Sequence, residues 1–335
     1  MAGRRTNLGL LVFLGLAVVS GLTSFGVGSG WSRWVIVTHD VAAFGIVVLI
    51  PWKSTVVRRG LRRVRPDRGK PLSLMLAGLV VIALVSGVGQ ATGLVTRWGP
   101  LNGIQVHVGA ALAAVPLAIW HVCNRPQRVR RVDVSRRALL QSGATLAAAG
   151  AVFGTAELAV HGLRLPGAER RATGSHERGS GDPAAMPVTQ WFDDRVPDTA
   201  LAGWAVEVVA GGASRHITAA DAAAYGDRVE AVLDCTSGWW SAQEWAGVAL
   251  DRLVSGTGRS IVVRSATGYA RRFPARDAAK LLLATHVGGE PLSAGHGAPA
   301  RLVAPGRRGF WWVKWVDRIE EQDTPWWWQL PFPLT

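Results

Sequence analysis

Apolar positions follow two different rhythms along this chain. In the first half they come in long runs, at 8–27, 34–52, 72–95, 104–122 and 138–160. Each run is close to the ~20 residues that cross a ~30 Å hydrocarbon core as a helix. Lys and Arg are missing from their interiors. Residues 162–185 then turn polar and rich in Gly, Arg and Ser, the composition of a linker, with 179–183 its most flexible part. Beyond it the runs are short. A strand is expected at 204–209, with Ala210-Gly-Gly-Ala213 turning the chain back into a second strand at 214–217. The run 229–233 reads as a buried strand. Ser241 and Glu244 stand at capping-box spacing and predict a helix through Trp245, Val248, Leu250, Leu253 and Val254. A strand at 261–264, a helix at 277–285 and late strands at 301–303 and 310–316 complete the reading. No internal repeat is expected. The fold class is an N-terminal all-α transmembrane bundle of five spans (1–161), a linker (162–185) and an α+β domain with considerable sheet (186–335).

Charge gives the runs an orientation. The chain has 335 residues and a formal charge of +14, but the surplus lies in short blocks, 58–70 and 125–137, between apolar runs. Blocks of that kind mark cytoplasmic loops, and Arg4 and Arg5 put the N-terminus on the same side. Five spans then place everything after about residue 161 outside the cytoplasm; four would leave it inside. Trp31, Trp34, Trp52, Trp98 and Trp120 fall at run ends, as interfacial aromatics do. Nucleic acid is not an expected partner, because no stretch interleaves basic and aromatic residues along a groove. Ser135-Arg136-Arg137-Ala138-Leu139-Leu140 opens the fifth run and resembles a twin-arginine export motif, although it also serves as two more cytoplasmic charges.

Two cysteines carry the chemistry. On this topology Cys123 is at the cytoplasmic end of the fourth run and Cys235 is outside, so they cannot pair. A free cysteine is either a small buried hydrophobe or, as a thiolate, a ligand for a soft metal. Cys235 follows the 229–233 run directly, at the lip of a strand. Downstream come Gly289-Glu290-Pro291-Leu292, His296-Gly297-x-Pro299-x-Arg301, Pro305-Gly306, Gly309 and Val313-Lys314-Trp315. Cationic donors fit a dianionic phosphate, and glycines such as Gly295, Gly297 and Gly309 let backbone N–H groups approach it.

The cysteine and this ordered set resemble the sulfite oxidase family of molybdopterin-dependent oxidoreductases, over most of 186–335. The resemblance implies that Cys235 ligates molybdenum and is the catalytic residue. It also implies that His296, Arg301 and Lys314 hold the pterin and its phosphate, with Arg264 and the Thr267-Gly268-Tyr269 turn as further pocket candidates. Trp239 and Trp240 are candidates for a pocket wall or for plain core packing. After Cys235 the chain reads Thr-Ser-Gly-Trp-Trp, where sulfite oxidases have an Asn/Arg-containing sequence. Their substrate-binding arginine and C-terminal dimerisation domain have no recognisable counterpart here.

Histidines inside spans are functional candidates by default. His39 and His107 lie at similar depth, in the outer halves of the second and fourth runs, and could clamp one haem b iron. His121 is spaced from His107 as in two-haem helices but lacks a histidine partner at its depth; His161 is a spare. The expected protein is a membrane-anchored molybdenum oxidoreductase. It would act outside the cytoplasm on a small oxyanion or sulfoxide-type substrate, exchanging electrons with the quinone pool or another carrier. The alternative is a cofactor-free anchored binding domain of the same fold.

Overall fold

The computed structural model describes residues 2–26, 31–62, 69–126, 130–190, 194–197 and 203–331. Val27, residues 63–68 and 127–129 of the two basic blocks, and Phe332 and Pro333 of the Trp-rich tail lie outside the described residues. The chain divides into two compact units, one within Met1–His176 and one mainly within Glu177–Thr335.

The first unit holds the helices α1 (Ala2–Gly26), α2 (Ser32–Leu61) and α3 (Gly69–Thr92), a two-residue hairpin β1 (Arg97–Trp98) and β2 (Leu101–Asn102), then α4 (Gly103–Asn124) and α5 (Arg136–Gly162). All five helices are long and apolar enough to cross a membrane. Their small interior is built from Phe13, Ala42 and Ile46, with Leu10, Leu49 and Val80 around it. Leu16, Val19, Leu112 and Leu140 point outward and exposed, as expected where the surroundings are lipid. Asn102 starts α4 with a capping box to Gln105, and Ser135 caps α5.

Contrary to expectation, the helices contain a repeat. Ala17, Ser20 and Gly21 on α1 recur as Ala83, Ser86 and Gly87 on α3, and His39 on α2 recurs as His107 on α4. His39 Nδ1 lies 2.9 Å from the Ala17 carbonyl, and His107 Nδ1 lies 2.8 Å from the Ala83 carbonyl. The intervening residues differ enough that the apolar pattern hides the duplication; shared hydrogen-bond geometry exposes it.

At the join lies β3 (His176–Glu177). Then follow β4 (Ala205–Ala210), β5 (Ala213–Thr218), the short helix α6 (Ala219–Ala224), β6 (Asp227–Asp234) and β7 (Trp239–Ala249). The chain ends in β8 (Ser260–Ser265), β9 (Ala270–Pro274), β10 (Leu282–Val287), β11 (Glu290–Pro291), β12 (Arg301–Val303) and β13 (Val316–Gln322). One sheet runs β11–β10–β7–β3, with β6 on β7 and β12 on β10; the other runs β5–β4–β13–β8–β9, in which β4 and β13 are parallel. Trp245, Leu250, Phe273, Leu283, Leu302 and Ile319 are among its fully buried side chains.

Three expected elements are corrected. The helix starting at Ser241 is instead β7. Its burial alternates residue by residue, the period of a strand, so Ser241 and Glu244 face opposite ways. Ser241 Oγ donates to the Gly179 carbonyl, while Glu244 pairs with Arg228 across β6 at 2.7 Å. The expected helix 277–285 is a 3-10 turn at Ala275–Lys280 followed by β10. β10 is hydrogen-bonded by β7 and β12, and its apolar run is that of a strand buried on both faces. The expected strand 310–316 is a 3-10 turn at Gly309–Trp311, and β13 begins only at Val316. There the aromatic rings pack under arginines, with Arg271 and Arg307 centred 4.1 and 4.8 Å from the Trp311 ring.

Candidate active site

β6 ends at Asp234, and the next residue, Cys235, sits at a cleft that opens to solvent. Four stretches of chain line it. Cys235 and Thr236 come from the turn between β6 and β7; Ser265 and Tyr269 come from the β8–β9 hairpin. Gly309, Phe310, Trp312 and Lys314 come from the segment before β13, while Thr189, Gln190 and Asp194 precede β4.

Cys235 is held from several sides. Its N–H donates to the Trp239 carbonyl at 2.8 Å, and Sγ lies 3.1 Å from Ser237 Oγ. Asp234 forms a β-bridge with Arg308, and the two side chains make an ion pair of 2.5 Å with both groups buried. Arg308 also reaches the Cys235 carbonyl at 3.4 Å. The bridge brings Gly309 against Cys235. A Cβ on Gly309 would sit 3.0 Å from the Cys235 Cα, tighter than an ordinary contact, so a side chain here would push the cysteine backbone aside.

Behind the cleft lie the cations. Lys314 Nζ donates to the Thr189 and Gly295 carbonyls at 2.8 and 2.6 Å, which uses two of its three donors. Arg301 is 1% exposed. It donates to the His296 carbonyl at 3.1 Å and stacks on Trp245, and its Nε has no hydrogen-bond partner among the described residues. Gly297, at φ +108°, forms the cradle: a Cβ there would come 3.0 Å from Arg301 Cβ and 3.1 Å from Lys314 Cβ. His296 anchors this turn. Its Nε2 lies 3.1 Å from the Met186 carbonyl and its Nδ1 lies 2.9 Å from Ser293 Oγ, so both ring nitrogens face protein partners.

Among the described residues none of these three forms an ion pair with a carboxylate. Burial, and then Arg301, push Lys314 down to about 7. Burial lowers Arg301 to about 10. Burial, with Arg301 and Lys314 nearby, lowers His296. Buried cationic groups, with Arg301 depressing both Lys314 and His296, beside a glycine cradle and an orphaned guanidinium N–H, fit a multiply charged anion.

Of the residues expected from sequence, Cys235, Gly309 and Lys314 line the cleft, and His296, Gly297 and Arg301 form its support. Arg264 is not brought to them. It is exposed on β8, while its neighbour Ser265 points the other way, into the cleft. Trp239 is buried and donates to Thr189 Oγ1. Phe310 and Trp312 supply the aromatic wall. Tyr269 is buried and donates to the Phe310 carbonyl, and burial raises its hydroxyl above the ordinary value. Sequence reading missed Thr189, Gln190 and Asp194, lone polar residues in a stretch with no pattern.

In the helical unit, the His39 and His107 rings have centroids 5.8 Å apart and planes at 79°. A carbonyl can only accept, so both Nδ1 atoms carry the proton and both Nε2 atoms keep a lone pair. That is the tautomer of a metal-ligating imidazole oriented by a backbone carbonyl. Gly21 and Gly87 lie against the rings, where a Cβ would come within 3.1 and 3.0 Å.

Comparison with known proteins agrees with the cleft chemistry. Residues 195–328 match the family model described as the oxidoreductase molybdopterin binding domain. A stretch of 43 residues is 51% identical to the nitrate reductase [NADPH] of Mycosarcoma maydis, 13% of this chain and 4% of that protein. The chain therefore spans a small part of that relative's length. The sulfane dehydrogenase SoxCD from Paracoccus pantotrophus overlaps at a TM-score of 0.35 with 25% identity, over 38% of this chain and 40% of its own. At that score the overlap carries no weight.

Proposed function

We propose, on the premise that residues 195–328 form an oxidoreductase molybdopterin-binding domain of the sulfite oxidase type, that this chain is a membrane-anchored oxidoreductase working outside the cytoplasm. The observation that carries the reading is the convergence of Cys235 with the Gly297 cradle and the buried cations Arg301 and Lys314. Bound there, the molybdenum cofactor supplies a two-electron redox change coupled to gain or loss of an oxo group at the substrate. Cys235 serves as thiolate ligand, held in place by Arg308, Trp239 and the close backbone of Gly309. Lys314 and Arg301 neutralise the phosphate, and His296 serves the same group from the turn it anchors. Tyr269, Phe310 and Trp312 wall the space in front of the thiol and limit water there. The substrate is a small oxyanion such as sulfite, which would be oxidised, or a sulfoxide or N-oxide, which would be reduced.

The proposed domain division is helices over 1–161, a linker over 162–185 and the catalytic domain over 186–335. Positive-inside charges put the N-terminus in the cytoplasm, and α5, opened by Arg136 and Arg137, takes the catalytic domain out by a twin-arginine route. Nε2 of His39 and of His107 would hold a b-type haem, which would supply one-electron exchange with the quinone pool. The support for it is the duplicated hairpin, which presents two like imidazoles to each other.

The test is molybdenum and haem content per chain in purified full-length protein from a host that makes the molybdenum cofactor. One molybdenum and a reduced-minus-oxidised b-type band are expected. A folded preparation with molybdenum near zero, made with cofactor available, overturns the enzyme reading. Sulfite-dependent reduction of an artificial acceptor, against reduced-dye turnover of sulfoxides, decides the direction.

A further inference from the structure

The helical repeat continues past the histidine pair. Fourteen residues along α2 from His39 stands Lys53, and fourteen along α4 from His107 stands His121. That is about 21 Å further along each helix, turned by about 40° from the same bearing. Because the His39 and His107 rings face each other, Lys53 and His121 occupy the facing sides of the same two helices. Their partners repeat as well. Lys53 Nζ donates to Asn7 Oδ1 on α1 at 2.9 Å, and His121 Nδ1 lies 3.1 Å from Ser73 Oγ on α3. Trp52 and Trp120 precede the pair at matching places.

The two levels differ in what stands behind the facing residues. At His39 and His107 it is Gly21 and Gly87, which let the imidazole rings lie close against the neighbouring helix. Fourteen residues back along α1 and α3 the places are taken by Asn7 and Ser73, an amide and a hydroxyl that hydrogen-bond. Lys53 is a donor here, as its bond to the Asn7 carbonyl oxygen requires, rather than a lone-pair ligand. Lys53 stands one residue past the 34–52 run, at its cytoplasmic end in the proposed topology, and is turned toward α1 rather than left free in water.

We propose that this second level binds the headgroup of a quinone, with one ring oxygen at Lys53 and the other at His121. The proposal rests on the haem reading above, and names the site of its electron partner. In the direction of quinol oxidation, each quinol loses two O–H protons and two electrons and forms two C=O bonds. The two electrons would leave one at a time to a one-electron acceptor, the b-type haem that His39 and His107 would hold. His121, backed by Ser73, takes the two protons one after the other and releases each to the cytoplasmic face of the proposed topology. Quinone reduction runs the same step backwards.

The test uses full-length protein in detergent with duroquinol as reductant and duroquinone as ligand. Duroquinol is expected to reduce the b-type band of wild type, and equilibrium dialysis to show saturable duroquinone binding. Lys53→Met and His121→Leu should each slow haem reduction by about tenfold or more, the loss of one charge-assisted hydrogen bond, and weaken binding alike. Dithionite should still reduce their haem fully, and Lys53→Gln, which keeps a donor, should recover part of the rate. Should the first two variants fail to accumulate, Asn7→Leu and Ser73→Ala carry the same expectation in milder form. Wild-type rates and binding in the variants overturn the proposal. So does a content of two haems per chain that falls to one in His121→Leu, which would make this level a haem site. A wild type with no b-type band defeats the haem reading instead, and the dialysis then judges the quinone site separately.

Discussion

The two units keep polar chemistry away from water by opposite means. In the helical unit a polar side chain is held by a few groups of one neighbouring helix, as His39 is by the Ala17 carbonyl and Ser20 Oγ and His107 by the Ala83 carbonyl. These few contacts suffice, because the surrounding surface is apolar and the helix period fixes depth and bearing. In the sheet-rich unit the cleft comes from the ends of β6, β8 and β9, the segment before β13 and the stretch before β4. Its cations are buried under aromatic rings and carbonyls contributed by distant residues, such as Arg301 on Trp245 and Lys314 on Thr189. A helical site therefore stands or falls with single residues. A loop-built site depends on many backbone approaches, of which Gly309 against Cys235 is the tightest.

The largest expected effect separates the two units. Cys235→Ala should abolish substrate turnover, and X-ray absorption of any retained molybdenum should lose one sulfur neighbour. The b-type band should stay at the wild-type level, since His39 and His107 lie in the other compact unit. Loss of the band in this variant would mean that the two centres assemble together, and the comparison would fail.

The converse is nearly as large. His39→Ala or His107→Ala removes one of the two proposed haem ligands and should eliminate most of the b-type absorbance. Molybdenum content and turnover with a soluble dye should be retained, while electron exchange with quinol is lost. Retained absorbance in both variants would remove these histidines from the haem assignment.

These expectations also mark what the sequence could reveal. Run length and charge gave the five helices, because lipid as solvent demands a continuous apolar surface. The site cations were legible because they lie in order within one segment, His296 to Lys314. The fate of Ser241 to Val254 was not legible. Capping-box spacing is a local signal, whereas β7 is decided by pairing with β6 and β10, and by Gly247, where a Cβ would come 2.0 Å from the Leu283 carbonyl oxygen. Thr189 and Asp194 could not be found for the same reason: they reach the cleft through tertiary contact alone. The duplicated hairpin escaped notice because apolar substitutions blur it, while its hydrogen bonds do not.

A third prediction sharpens the contrast through pH. Burial and Arg301 hold Lys314 to about 7, below its ordinary 10.5. Between those values the unfolded chain carries a proton there that the cofactor-free fold does not, so stability of the cofactor-free domain rises with pH across that window. Phosphate binding needs the ammonium form. Apparent cofactor affinity should therefore fall as pH rises above about 7, by up to about tenfold per unit, and Lys314→Met should flatten the slope. Cofactor release measured against pH reads this directly; a slope unchanged in the variant assigns the dependence elsewhere.

The smallest effect belongs to Arg264. It is exposed on β8, opposite Arg318 of β13, and its neighbours are Arg272 and Asp317 rather than Cys235. Alternation along the strand puts Ser265, not Arg264, on the cleft side. Arg264→Gln should leave molybdenum content and kcat/KM within about twofold of wild type, as expected for a surface change that removes no buried contact. A tenfold loss of cofactor would place this guanidinium on the phosphate after all, by a loop movement that strand β8 would have to permit. The one-residue offset between Arg264 and Ser265 is thus a direct test of whether this site is set by strand register, as its helical counterpart is set by helix period.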